Sequence, residues 1–286
     1  MQTIWSEQAL LAEGWARDVT VEIVGGRIEA VETGTLPQPG ANRVGALLPA
    51  PTNLHSHAFQ RAMAGLTEAR GPDPRDSFWT WRQLMFRFLD RLTPEDVQSI
   101  AAFVQMEMLE AGFAAVAEFH YLHHAPGGTP YAQLAEMSER IVAAARDTGI
   151  GLTLLPVLYE FGGCDRRPLG PGQIRFGNDP ERFAALVDAA EEALTALPPD
   201  ARLGVAPHSL RAVSPDGLAA CLKLRPGAPV HMHLAEQVAE VEEVLAAPYV
   251  RHEQLKTLTT RLESGAAVGR WSIGLMDFKI GKEEAQ

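Results

Sequence analysis

Cysteine is almost missing from this chain. Only Cys164 and Cys221 occur among 286 residues, and they are not spaced as CxxC. That excludes a disulfide framework and fits a reducing cytoplasm. Long apolar sequence is missing too: no run of about 18 apolar residues occurs, so a helical membrane span is not expected. The opening MQTIWSEQALLAEGW has no basic stretch leading into a continuous apolar one, so no signal peptide is expected either. Basic residues are in deficit, 25 against 36 acidic, for a formal net charge of −11. Nucleic acid and anionic membrane need clustered Lys and Arg, and neither is expected as a partner. What remains, 46% hydrophobic and 21% charged, describes a globular chain able to bury a core in one large domain or two modest ones.

The first 48 residues read as short strands and turns. Asp18–Val24 and Arg27–Glu32 alternate with period two around Gly25-Gly26, which predicts a hairpin. Beyond them, short apolar strands alternate with helical stretches. Strands are predicted over Leu47–Leu54, Ala114–Phe119, Leu152–Leu158, Leu203–Ala206 and Pro229–Leu234. Helices are predicted over Thr93–Ala111, Tyr131–Thr148, Pro180–Leu197 and Pro215–Leu224, the first opened by a capping pattern. This order predicts an α/β fold with a parallel sheet, and no Gly-rich dinucleotide fingerprint follows any strand. The expectation is a partial (β/α)8 TIM-like barrel of about five units where a full one has eight. Its divisions are an N-terminal β unit at 1–48, an incomplete barrel at 49–246 and a divergent tail at 247–286.

Barrel enzymes carry catalytic groups at the C-terminal ends of their strands, and four clusters stand there. His55 and His57 are two apart, so a strand would present both imidazoles, the preferred zinc ligand, to one side. His233 is followed three residues later by Glu236, which sets a metal ligand beside a proton carrier; His231 is the reserve ligand. In Glu118–His124, three histidines surround Tyr121 and admit two readings, further ligands or a polar loop lining the pocket, the second preferred. In the last cluster, His208 can contact a substrate carbonyl or a metal-bound water, and Arg211 can clamp a carboxylate through its planar fork. Trp79, Trp81 and Arg82 form either a lid that presents Arg82 to an anion or a core plug. Cys164 has no base partner and is no nucleophile.

With these segments in order, NLHSHAFQRAMAG, SFWTWR, VAEFHYLHH, APHSLRAV and HMHLAEQ, the chain resembles the amidohydrolase superfamily, and within it the formimidoylglutamate deiminases. The resemblance covers about residues 1 to 246. It implies zinc-dependent hydrolysis of N-formimino-L-glutamate to N-formyl-L-glutamate and ammonia, in histidine degradation. It also implies a small dicarboxylate as the partner and is compatible with a homodimer. Carried over position by position, His55, His57 and His233 match one divalent metal's ligands, and Glu236 matches the proton-transferring acid. Gln60, Arg82, Tyr121, His208 and Arg211 match positions that hold substrate.

The family pattern continues with a histidine after the sixth strand and an aspartate after the eighth. Eight of the nine histidines here occur by residue 233, and neither His252 nor Asp277 has the expected context. The alternatives are therefore an inactive truncated remnant, or an amidohydrolase that deaminates an aminated heterocycle.

Overall fold

The computed structural model describes residues 1–67, 78–247 and 271–273. It divides into two compact units, Met1–Pro51 and Thr52–Gln286.

In the first unit, β1 (Gln2–Leu11), β2 (Gly14–Val24), β3 (Arg27–Glu32) and β4 (Asn42–Leu47) form one sheet ordered β3-β2-β1-β4. The β2–β3 hairpin turns at Gly25 and Gly26, with φ of 59° and 79°. Two consecutive left-handed residues match the right-handed twist of the strands, and glycine adopts them without a Cβ penalty. Ala9, Val19 and Val21 are buried, with Ile4, Leu11, Ile23 and Leu47 packed around them.

The second unit is built on a parallel sheet. Its strands are β5 (Thr52–Ser56), β6 (Ala115–His120), β7 (Gly151–Leu158), β8 (Arg202–Leu203), β9 (Ala206–Pro207), β10 (Val230–Met232) and β11 (Trp271–Ile273). β5, β6 and β7 pair in chain order, β8 and β9 both pair with β7, and β10 pairs with β11, always in parallel. A bridge from Val205 to Val230 joins the β9 segment to β10. Gly204 interrupts the fourth strand where a Cβ would stand 2.4 Å from Leu155 and 2.5 Å from the Pro229 carbonyl. Only glycine lets three strands approach so closely there.

Helices α1 (Phe78–Leu89) and α2 (Pro94–Glu110) lie between β5 and β6 in sequence, α3 (Glu136–Thr148) between β6 and β7, and α4 (Pro180–Leu194) before β8. α5 (Pro215–Leu224) precedes β10, and α6 (Val238–Ala246) follows it. Thr93 and Asp96 close a reciprocal capping box on α2, while Asp179 and Ser214 accept the backbone N–H of Arg182 and Gly217 at the starts of α4 and α5. The fold class is α/β with a parallel, partial barrel, as the strand–helix alternation predicts. No described helix is long and apolar enough to cross a membrane.

Several predicted boundaries differ. The apolar run Leu47–Leu54 is not one strand: Leu47 ends β4 in the first unit and Thr52 begins β5 in the second. Pro49 and Pro51 supply no N–H to a ladder, so the run breaks between them. α3 starts at Glu136 rather than Tyr131, and α4 ends at Leu194 rather than Leu197. β11 lies in the stretch predicted as a divergent tail.

Candidate metal centre

Three imidazoles meet at the C-terminal ends of β5 and β10. The ring centroids of His55 and His57 are 4.6 Å apart, and those of His233 stand 5.2 and 5.1 Å from them. One ring nitrogen from each lies within 4.8 Å of the others. His231, the reserve ligand, is outside this group. Its backbone N–H is committed to the Val205 carbonyl, whereas His233 turns out past the strand end and donates its N–H to the His208 carbonyl.

The surroundings of these rings suit them to a cation. Nδ1 of His57 lies 2.9 Å from the Phe119 carbonyl, which only accepts, so that nitrogen carries the proton and Nε2 keeps its lone pair. The His233 ring stacks on Phe119 at 4.3 Å and 22°. Its Nε2 stands 3.4 Å from Nε2 of His55. Two nitrogens on one tetrahedral zinc at ~2.0–2.1 Å would be ~3.3–3.4 Å apart, so the spacing fits a shared ion. Burial lowers the basicity of all three; the imidazolium form of His57 is pushed down to about 3, with the neighbouring His55 adding to the effect. Neutral rings are what a metal requires.

A buried carboxyl holds the first histidine pair in place. Ala58 donates its backbone N–H to Glu118 Oε1 at 2.7 Å, fixing the turn directly after His57. Burial pushes the Glu118 carboxyl up to about 7, against hydrogen bonds from Ser56 and Ala58 that favour its charge. The β5–β6 register shifts between Asn53 and Ser56 at this point, so simple strand alternation does not set where the two rings point.

Around the triad stand the other residues singled out in the sequence. Gln60 donates to the Tyr121 hydroxyl at 3.0 Å, and the Tyr121 ring stands 5.0 Å from His57. His208 is buried, its Nδ1 2.9 Å from Ser209 Oγ and its ring 4.9 Å from His233. Arg82 and Arg211, from α1 and from the loop after β9, both donate to the Tyr159 hydroxyl, at 3.0 and 3.3 Å. Burial raises the Glu236 carboxyl, while Arg211 and then Arg82 pull it back, so the three share one electrostatic neighbourhood. Glu240, itself buried, accepts the Glu236 backbone N–H at 3.2 Å. Arg175 is 1% exposed and donates to the carbonyls of His124, Leu89 and Leu92, tying the end of α1 to the end of β6.

The segment Glu118–His124 is not an open polar loop. His120, His123 and His124 are 2%, 1% and 0% exposed. His123 donates through Nε2 to the Val157 carbonyl, and His124 through Nε2 to Gly177 and Asn178. β6 has a strand on each side and runs to His120, the buried stretch continues past it, and from this segment Phe119 and Tyr121 reach the triad. Among the described residues, no further group of three such side chains is spaced for a metal. His252 and Asp277 lie outside the described residues. Tyr159, Gln173, Glu118 and Phe119 carry the site's internal bonds; Glu118 and Phe119 belong to a cluster that stands out for its histidines and tyrosine, and Tyr159 follows β7 at a strand's C-terminal end.

The profile of the formimidoylglutamate deiminase HutF N-terminal domain matches residues 1–45, and that of the amidohydrolase family matches residues 46–276. The second match runs past residue 246, where the sequence reading ended the barrel. A formimidoylglutamate deiminase of Pseudomonas aeruginosa is 49% identical over 248 residues, 86% of this chain and 54% of the relative. An amidohydrolase from Brucella melitensis superposes with a TM-score of 0.86 at 48% identity, covering 96% of this chain and 59% of that one. An adenosine deaminase from Xanthomonas campestris with bound zinc shares the fold, with a TM-score of 0.64 at 17% identity over 91% of this chain and 55% of that one. The chain spans little more than half the length of these relatives.

Proposed function

The chain belongs to the amidohydrolase family, and on that footing we propose that its site serves hydrolysis of N-formimidoyl-L-glutamate to N-formyl-L-glutamate and ammonia, a step of histidine degradation in the cytoplasm. The observation that carries this reading is the pairing of three converging imidazoles with two arginines that meet at one phenol oxygen. His55, His57 and His233 would hold one divalent ion, zinc by its preference for imidazole. Bound there, the ion supplies a Lewis acid that polarises the amidine and makes water more acidic.

The chain's own residues do the rest. Glu236, with its carboxyl raised by burial, is suited to take a proton from attacking water and return it to the departing nitrogen. Arg82 and Arg211 bring two positive charges against the two carboxylates of a glutamate derivative. Gln60, Tyr121 and His208 line the side next to the imidazoles and would hold the formimidoyl end. A neutral aminated heterocycle has no carboxylates for two guanidinium groups to grip, which is why this substrate is preferred over a purine or pyrimidine.

Zinc analysis of the purified chain, together with ammonia release from N-formimidoyl-L-glutamate, tests the proposal. One zinc per chain with steady ammonia release is expected. Stoichiometric zinc with no turnover would leave the metal centre standing and show a non-catalytic remnant. Turnover that is unchanged in Arg211→Ala would point to the heterocycle reading instead.

A further inference from the structure

Tyr159 follows β7 directly and is 1% exposed, with its ring 4.4 Å from His208 and 5.7 Å from Phe176. Its hydroxyl is the meeting point of three donors from three distant segments. Gln173 Nε2 approaches at 2.9 Å, Arg82 Nη2 at 3.0 Å and Arg211 Nη1 at 3.3 Å. The direction of the Gln173 bond is settled by its other end: Gln173 Oε1 accepts the Gly170 N–H at 3.0 Å, so the amide nitrogen must face the phenol. Both arginines are obligate donors. The phenol oxygen therefore acts as an acceptor toward all three.

A phenol oxygen has few acceptor positions, and the two shorter bonds occupy them best. Arg211, at 3.3 Å, is the donor most easily released to a ligand. Because α1 and the loop after β9 are otherwise separate in sequence, their guanidinium groups have no shared covalent reason to stand side by side. Like charges would separate them unless an acceptor lay between. Tyr159 supplies such an acceptor without charge and fixes the point at which the two guanidinium groups meet, while the Glu240 and Glu236 carboxyls also act on Arg211.

We propose that Tyr159 is a positioning and specificity-determining residue, which sets the spacing of Arg82 and Arg211 so that the site selects dianions over monoanions. This rests on the proposed function only in taking the arginines as the carboxylate-binding pair, and its test needs no turnover. Calorimetric titration of the zinc-loaded full chain would use glutarate and N-formyl-L-glutamate as dianions and butyrate as a single carboxylate. In Tyr159→Phe the ring packing is kept and the oxygen lost. Affinity for both dianions should fall by about 10- to 100-fold, the range for hydrogen bonds to charged groups, while butyrate changes less than about 3-fold by the same scale. Zinc content should stay the same. An equal loss for dianions and butyrate, or no loss for either, would overturn the inference.

Should Tyr159→Phe lose its thermal transition, Tyr159→Met gives the same reading, since it fills much of the same space without the oxygen that Arg82 and Arg211 share. Dianion affinity should again fall selectively, and retention of wild-type dianion preference would overturn the inference. If the wild-type chain binds glutarate but releases no ammonia from N-formimidoyl-L-glutamate, the proposed function fails and the clamp stands. A wild-type chain that binds no dianion would overturn both.

Discussion

Two groups of histidines, one at the ends of β5 and β10 and one at the end of β6, differ in what the second ring nitrogen of each does. In both groups a carbonyl fixes the tautomer: Phe119 for His57, Val157 for His123, and Gly177 for His124. In both, burial depresses basicity. At His55, His57 and His233 the remaining nitrogens converge on one point. At His120, His123 and His124 the rings stand 5.4 and 6.1 Å apart in a chain. His120 Nε2, His123 Nδ1 and His124 Nδ1 meet no hydrogen-bond partner among the described residues. Identical chemistry thus yields an arrangement that could hold a metal in one place and packed core in the other. The cause is direction, not residue type.

Removing one ring from each group tests this difference most directly. His57→Ala should reduce bound zinc from one equivalent to none at micromolar metal. His123→Ala should keep its zinc and lose about 2–4 kcal/mol of stability, the cost of a cavity in a core. Metal analysis and denaturant unfolding separate the two, and equal behaviour would erase the distinction. Next in size, Arg211→Ala should lower kcat/KM for the dicarboxylate by about 100-fold or more, as loss of a buried charged contact does. Zinc content should not change.

Acid separates the groups further. His120 is pushed down to about 3 by burial, and His123 well below its ordinary value. Each binds a proton more readily unfolded than folded, so its contribution is whole above pH 6.5 and declines as pH falls toward 3. At pH 5 the loss should be on the order of 2 kcal/mol per histidine. Glu118 acts in the opposite sense between 4.5 and about 7, since its folded carboxyl holds its proton more tightly. Unfolding followed from pH 7 to 5 should show a net fall, and His123→Phe should flatten it. The smallest expected effect is at Glu118 itself. Glu118→Gln should weaken zinc binding by about 10-fold, because it loosens the turn behind His57 without touching a ligand.

Much of the framework was legible in the sequence. Period-two alternation around Gly25-Gly26 marks the hairpin, and α5 spans the predicted Pro215–Leu224 because Ser214 and Pro215 form a local start signal. The strand ends that carry His55, His57, His208 and His233 could be located because apolar strands are short and the residues following them are polar. The Leu47–Leu54 run divides between two strands because prolines forbid ladder bonds, which hydrophobicity alone does not register.

By itself, then, the sequence determined the strand–helix order and which residue types stand at the sheet's C-terminal edge, since both follow from local periodicity and capping. Only the tertiary structure decided that His233 rather than His231 turns toward His55, that His120, His123 and His124 are core, and that Arg82 and Arg211 share one phenol oxygen. Those outcomes depend on bond directions between segments 34 to 178 residues apart. No local pattern encodes such directions, because they are set by how the strands pair and where each strand ends.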